Sequence, residues 1–131
     1  MSKLELKKIF LYFDHELNQI SQNTDIAYRS ALKNDAQQVI LLNKDEIDNW
    51  VIQLKERTIS CYELEKFLES KRELISLPQL ESIGMNIDEI DQLKGDILRL
   101  IAKSILNTFL DSLFKKPSIT RILETKSQNW F

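Results

Sequence analysis

Two glycines and two prolines in 131 residues leave this chain almost no means of making tight turns. Hairpins rely on residues that accept a positive φ or preset a bend, and glycine and proline normally make up about 7% and 5% of a sequence. Most β architectures are thereby excluded. Leucine and isoleucine are abundant instead, at 20 and 16 positions. Their spacing, mostly three or four residues, gathers them on single faces of helices. The fold expected is all-α: one domain over residues 1–131, an irregular bundle of five to seven helices.

The spacing of Leu6, Ile9, Phe10, Phe13, Leu17 and Ile20 predicts a first helix over 4–21. Asn23 and Thr24 are expected to cap a second, with Ile26, Ala27, Ser30 and Ala31 as a narrow face. That face fades near Asn34 and Asp35 before helix continues through Val39 to Leu42. Asn43 or Lys44 opens the next, with Asp45, Glu46 and Asp48 complementing the helix dipole and Ile47, Trp50, Val51 and Leu54 as its buried stripe. Residues 44–75 form either one helix or two. Ser60 followed by Glu63 has the form of a capping box, which favours a break at Thr58 to Ser60. Ser76 as cap and Pro78 in the first turn predict a short helix closed by Gly84. Asn86 and Glu89 then launch the longest element, expected over 87–115 as the central helix of the bundle. Its apolar face runs from Ile90 to Leu113, and Arg99, Lys103, Asn107 and Asp111 mark its wet side. Beyond Pro117, Ser118 is expected to cap a last short helix carrying Ile119, Ile122 and Leu123.

Several functional classes lose support from what the chain lacks. Gly84 and Gly95 belong to no glycine-rich run, so neither a phosphate-cradling loop nor a dinucleotide fingerprint is present and no cofactor is expected. His15 and Cys61 are the only residues of their kinds, which leaves no ligand set for a zinc site, and no metal is expected. No stretch resembles a signal peptide or a membrane span, and a lone cysteine suits a reducing, cytoplasmic setting. His15 stands between Asp14 and Glu16, but neighbours on a helix face different directions, so the three are not expected to form an acid–base cluster. Cys61 reads as a small buried hydrophobe, and Trp50, Phe67 and Phe109 as core aromatics.

The formal charge is only -2, but it is unevenly spread. Residues 81–96 hold five acids, Glu81, Asp88, Glu89, Asp91 and Asp96, against Lys94 alone. Carboxylates at a helix start complement its dipole, and the same cluster suits a basic surface on another protein. Trp130 and Phe131 follow polar Ser127, Gln128 and Asn129, where two large aromatics either dock on the bundle or anchor a partner. The function expected is a non-enzymatic protein-binding domain. Within that class, a small cytoplasmic inhibitor or immunity-type protein that neutralises a basic toxin or nuclease suits the size and charge pattern, with Glu81, Asp88, Glu89, Asp91, Asp96, Trp130 and Phe131 as its contact residues. The alternative is a nucleic-acid-associated regulator or complex subunit that uses Lys115, Lys116, Arg121 and Lys126. An enzyme with a carboxylate metal centre is a third class, disfavoured by the single histidine.

Overall fold

A computed structural model describes the backbone from Lys3 to Leu113 and the side chains from Glu5 to Leu110. It is all-helical over this span, with helices α1 (Lys3–Gln22), α2 (Arg29–Leu42), α3 (Lys44–Lys55), α4 (Cys61–Glu69), α5 (Pro78–Ser82) and α6 (Ile87–Leu113). Single 3-10 turns at Ile26–Tyr28 and Arg72–Leu74 precede α2 and follow α4. The long helix is central, as its sequence predicts: α6 packs against every one of the other five. Lys115 and the last predicted helix lie outside the described residues.

The core follows the aliphatic stripes. Ile9, Phe13 and Leu17 of α1 meet Ile97, Leu98, Ile101 and Ile105 of α6 in one cluster that also takes Ile47, Trp50, Val51 and Leu54 from α3. Burial of such side chains contributes about 1.5–3 kcal/mol each, which makes this cluster the main stabilising term. The buried arc of α6 is wider than the predicted face, because Leu100, Ser104 and Thr108 are buried as well. Ser104 satisfies its hydroxyl by donating to the Leu100 carbonyl at 2.7 Å.

Several local expectations are corrected. Asn23 and Thr24 do not cap α2. The Thr24 hydroxyl donates back to the Ile20 carbonyl, and Asp25 caps the 3-10 turn by accepting the Ala27 N–H. That turn shifts the helical phase, so Ile26 is 76% exposed, and the buried face of α2 consists of Ala31, Leu32, Asp35, Ala36, Val39 and Ile40. The chain breaks between α3 and α4. Ser60 accepts the Glu63 N–H at 3.1 Å while the Glu63 carboxylate accepts the Ser60 N–H at 3.1 Å, completing the predicted box. Cys61, in the first turn of α4, is exposed. Only Leu64 and Leu68 of that helix are buried, and Phe67, one position off their line, is 39% exposed. At the start of α6 the Asn86 side chain accepts the Asp88 N–H at 2.7 Å.

One helix start is closed by a group distant in sequence. The predicted Ser76 cap is absent, since α5 has no side-chain cap of its own. Instead Asp35, buried in α2, accepts the N–H groups of Gln79 at 3.2 Å and Leu80 at 3.0 Å. Arg29 closes the far end of α1 by donating to the carbonyls of Thr24 and Gln22 at 3.0 and 3.1 Å. At the end of α5 the Gly84 N–H reaches the Glu81 carbonyl and the Met85 N–H reaches Leu80, a Schellman pairing that places Gly84 at φ 89°. The same pairing ends α3, where Arg57 N–H reaches Leu54 and Thr58 N–H reaches Gln53, but there the left-handed position is taken by Arg57 at φ 61°.

Two predictions follow from these ends. Asp35→Ala should destabilise the protein by roughly 2–3 kcal/mol in urea unfolding, because two orphan N–H groups lose a charged acceptor. Asp35→Asn should cost less. Arg57→Gly should stabilise by about 0.5–1 kcal/mol, whereas Gly84→Ala should destabilise by about 1–2 kcal/mol. A shift of the same sign for both would contradict the left-handed geometry.

Candidate functional site

Three of the five clustered acids, Glu81, Asp88 and Asp91, meet where α5 turns into α6. The Gly84 turn is flanked by Ile83 and Ile87, 48% and 82% exposed, while Met85 and Ile90 are buried. A hollow at this corner is lined by Glu81, Met85, Ile87, Asp88, Ile90, Asp91 and Lys94. Its floor is apolar, and its rim carries three carboxylates against one ammonium. Glu89 is exposed on the same first turn of α6. Such a hollow suits a long basic side chain, with the alkyl stem on the isoleucines and the charged head among the acids.

Asp96 does not join the group. It lies two turns further along α6, where it accepts from Arg99 at 2.5 Å and borders a separate hollow with Glu16 and Gln19. Asp91 is partly committed within the protein. Arg72 reaches across from the 3-10 turn after α4 and donates to the Asp91 carbonyl at 2.9 Å, its carboxylate at 3.3 Å, and Glu69 at 3.1 Å. The hydrogen bond to Glu69 and the charge of Asp91 raise the Arg72 pKa, against the opposing effect of burial. Gly95 makes room for this guanidinium, since a Cβ there would stand 3.0 Å from its central carbon. Trp130, Phe131, Lys115, Lys116, Arg121 and Lys126 lie outside the described residues.

The residues around His15 diverge as expected. His15 is exposed, Asp14 accepts from Gln37 of α2 at 3.5 Å, and Glu16 is buried toward α6. Among the described residues no group of three or more His, Cys, Asp or Glu is placed to hold a metal ion, and no helix is long and apolar enough to cross a membrane.

A second surface went unanticipated. A groove of 620 Å³ runs between α4 and α6, with Tyr12 of α1 at its edge. Leu68, Leu98, Ala102 and Leu106 form its apolar floor, and Tyr62 and Leu110, 65% and 50% exposed, stand along it. From α4 the groove takes Tyr62, Glu65, Lys66, Leu68 and Glu69, of which Leu68 alone belongs to the buried stripe of that helix. At the groove's edge the buried Glu16 carboxylate lies 3.6 Å from the Lys103 ammonium and against the Tyr12 hydroxyl. Burial first, then the charge and hydrogen bonding of Glu16, raise the Tyr12 pKa well above its usual value of 10.

Comparison with known proteins gives no match, whether by family model, by curated sequence or by solved structure.

A raised phenol pKa means that the folded state holds the Tyr12 proton more tightly than the unfolded chain does. The associated stability is complete below pH 10 and is lost as the pH climbs above it. Tyr12→Phe should therefore flatten the fall in urea stability between pH 9 and 11.5, roughly the range over which an unfolded phenol ionises. An unchanged slope would remove Tyr12 as its source.

Proposed function

We propose that this chain is a non-enzymatic protein-binding domain that docks the α5–α6 corner onto a basic surface of another protein. The observation that carries the reading is Ile87, left 82% exposed in a hollow it shares with the carboxylates of Glu81, Asp88 and Asp91. An apolar centre with a charged rim is how protein interfaces divide their work: the centre supplies affinity, and the rim supplies orientation and encounter rate. Dipole complementation alone accounts for Asp88 and Glu89 but gives no reason for Ile87 to face water. Within this class, an inhibitor or immunity-type role suits the chemistry. A partner whose groove evolved to hold phosphates would present the cations that these carboxylates accept. A cytoplasmic setting completes the proposal, in keeping with the single exposed thiol.

The corner can be tested with a fluorescent octa-arginine peptide read by anisotropy. Binding should weaken as salt rises, and the double reversal Glu81→Lys with Asp88→Lys should weaken it by about tenfold, as expected for two exposed ion pairs replaced by repulsion. Asp91 is left in place because it holds Arg72. Equal binding by the reversed variant would remove the corner as the contact surface.

A further inference from the structure

The groove between α4 and α6 lies further along α6 than the acidic corner, and its occupant can be argued independently of the function proposed above. We propose that it is a second docking surface, which takes an amphipathic helix of another protein with acidic side chains along one flank.

The form of the occupant follows from the walls. Leu98, Ala102, Leu106 and Leu110 recur at every fourth residue of α6, so they make one continuous apolar ridge, about 18 Å long at 1.5 Å per residue. Leu68 and Tyr62 stand on the α4 side. A helix of three turns, about 12 residues, spans that length. A strand would need a sheet edge to pair with, and the described residues form no sheet. An incoming helix satisfies its own backbone and lays only side chains into the groove.

A second copy of this fold has no such helix to offer. Among the described residues, no helix carries two exposed large apolar side chains three or four positions apart. Tyr62 and Leu110 are exposed, but they belong to different helices and form the edges of the groove itself.

Charge sets the flank. The α6 rim is basic, with Arg99 and Lys103 one turn apart and both exposed. Each pairs with an acid inside the bundle, Asp96 and Glu16, yet guanidinium and ammonium groups have several N–H donors and can serve a second carboxylate. Lys66 rises on the α4 side, its ammonium 5.2 Å from the centre of the Tyr62 ring. Of the two acids on the groove, Glu69 is bridged to Arg72, which leaves Glu65 against three cations. An apolar floor under a cationic rim selects an anionic amphipathic helix. Acids four residues apart on that helix match the rise of about 6 Å between Arg99 and Lys103. The groove and the acidic corner thus call for partners of opposite charge.

The full chain can be titrated into a fluorescein-labelled, stapled helical peptide with leucines along one face and glutamates four residues apart on its flank, read by anisotropy. Binding should saturate and weaken as salt rises, and the same peptide with lysine for each glutamate should bind about tenfold more weakly. Lys66→Glu with Arg99→Glu, both at exposed positions, should reverse that preference, and binding of the lysine peptide then shows that the variant is folded. Tyr62→Asp with Leu110→Asp should abolish binding of either peptide. Amide shifts on binding should fall on α4 and on α6 from Leu98 onward and should spare residues 81–91. No binding, equal binding of the two peptides, a preference that survives the reversal, or shifts centred on the α5–α6 corner would each overturn the proposal. Self-association of the chain that excludes the peptide would overturn it in favour of a second copy.

Discussion

A single buried carboxylate decides where the second half of this protein goes. Asp35 lies inside the bundle on α2, and its two oxygens take the first free N–H groups of α5. An acid in that position is costly unless its charge is met by donors, and a helix start provides them. The arrangement stabilises both parties: α5 is too short to hold itself together, and Asp35 has no other partner of comparable strength among the described residues. Once α5 is fixed, the Schellman turn at Gly84 sets the start of α6, and with it the hollow lined by Glu81, Asp88 and Asp91. The acidic corner thus depends on a residue that lies 46 positions before Glu81 in the chain.

The same economy recurs elsewhere. A chain with two glycines must end its helices by other means, and it uses arginines three times. Arg29 closes α1 from the start of α2, Arg57 takes a left-handed position that glycine usually fills, and Arg72 straps the end of α4 to α6 across the gap left by Gly95. At Arg29 and Arg72 the guanidinium suits this use because it stays charged and offers several donors in a fixed plane, whereas Arg57 acts through its backbone. Gly95 is the counterpart. Its cost to helix propensity is offset by the close approach it allows, so the two glycines serve different ends, one by conformation and one by space.

This division explains what could be read from the sequence. The stripes of α1, α3 and α6 were legible because each packs along its own length, and the burial of Ile47, Trp50, Val51 and Leu54 follows directly from their spacing. The capping box at Ser60 was legible because both of its partners lie within four residues. Asp35 was not, because a carboxylate in mid-helix looks like a solvent-facing residue until the helix it caps is folded beside it. Cys61 and Phe67 were misplaced for a related reason. The spacing of Cys61 extends the stripe of α3, and Phe67 shares a face with Leu64 and Leu68, but the break before Ser60 starts a new helix whose buried face is Leu64 and Leu68 alone. Of the candidate contact residues, the corner formed by Glu81, Asp88, Glu89 and Asp91 could be anticipated from clustering in sequence. The separation of Asp96 follows from helix rise, about 12 Å over the eight residues from Asp88.

The groove depends on a balance that composition does not reveal. Long cationic side chains ordinarily lay their alkyl stems over nearby apolar surface, and Arg99 and Lys103 stand beside Ala102 and Leu106 in position to do so. Both line the groove while paired with acids. Asp96 holds Arg99 along α6, and Glu16 draws Lys103 toward α1, where the Tyr12 hydroxyl joins the carboxylate. The polar cluster at the α1–α6 contact thus borders the groove. Glu16 serves both: it meets Lys103 across the contact between the two helices and, through the Tyr12 hydroxyl, holds a side chain that lines the groove.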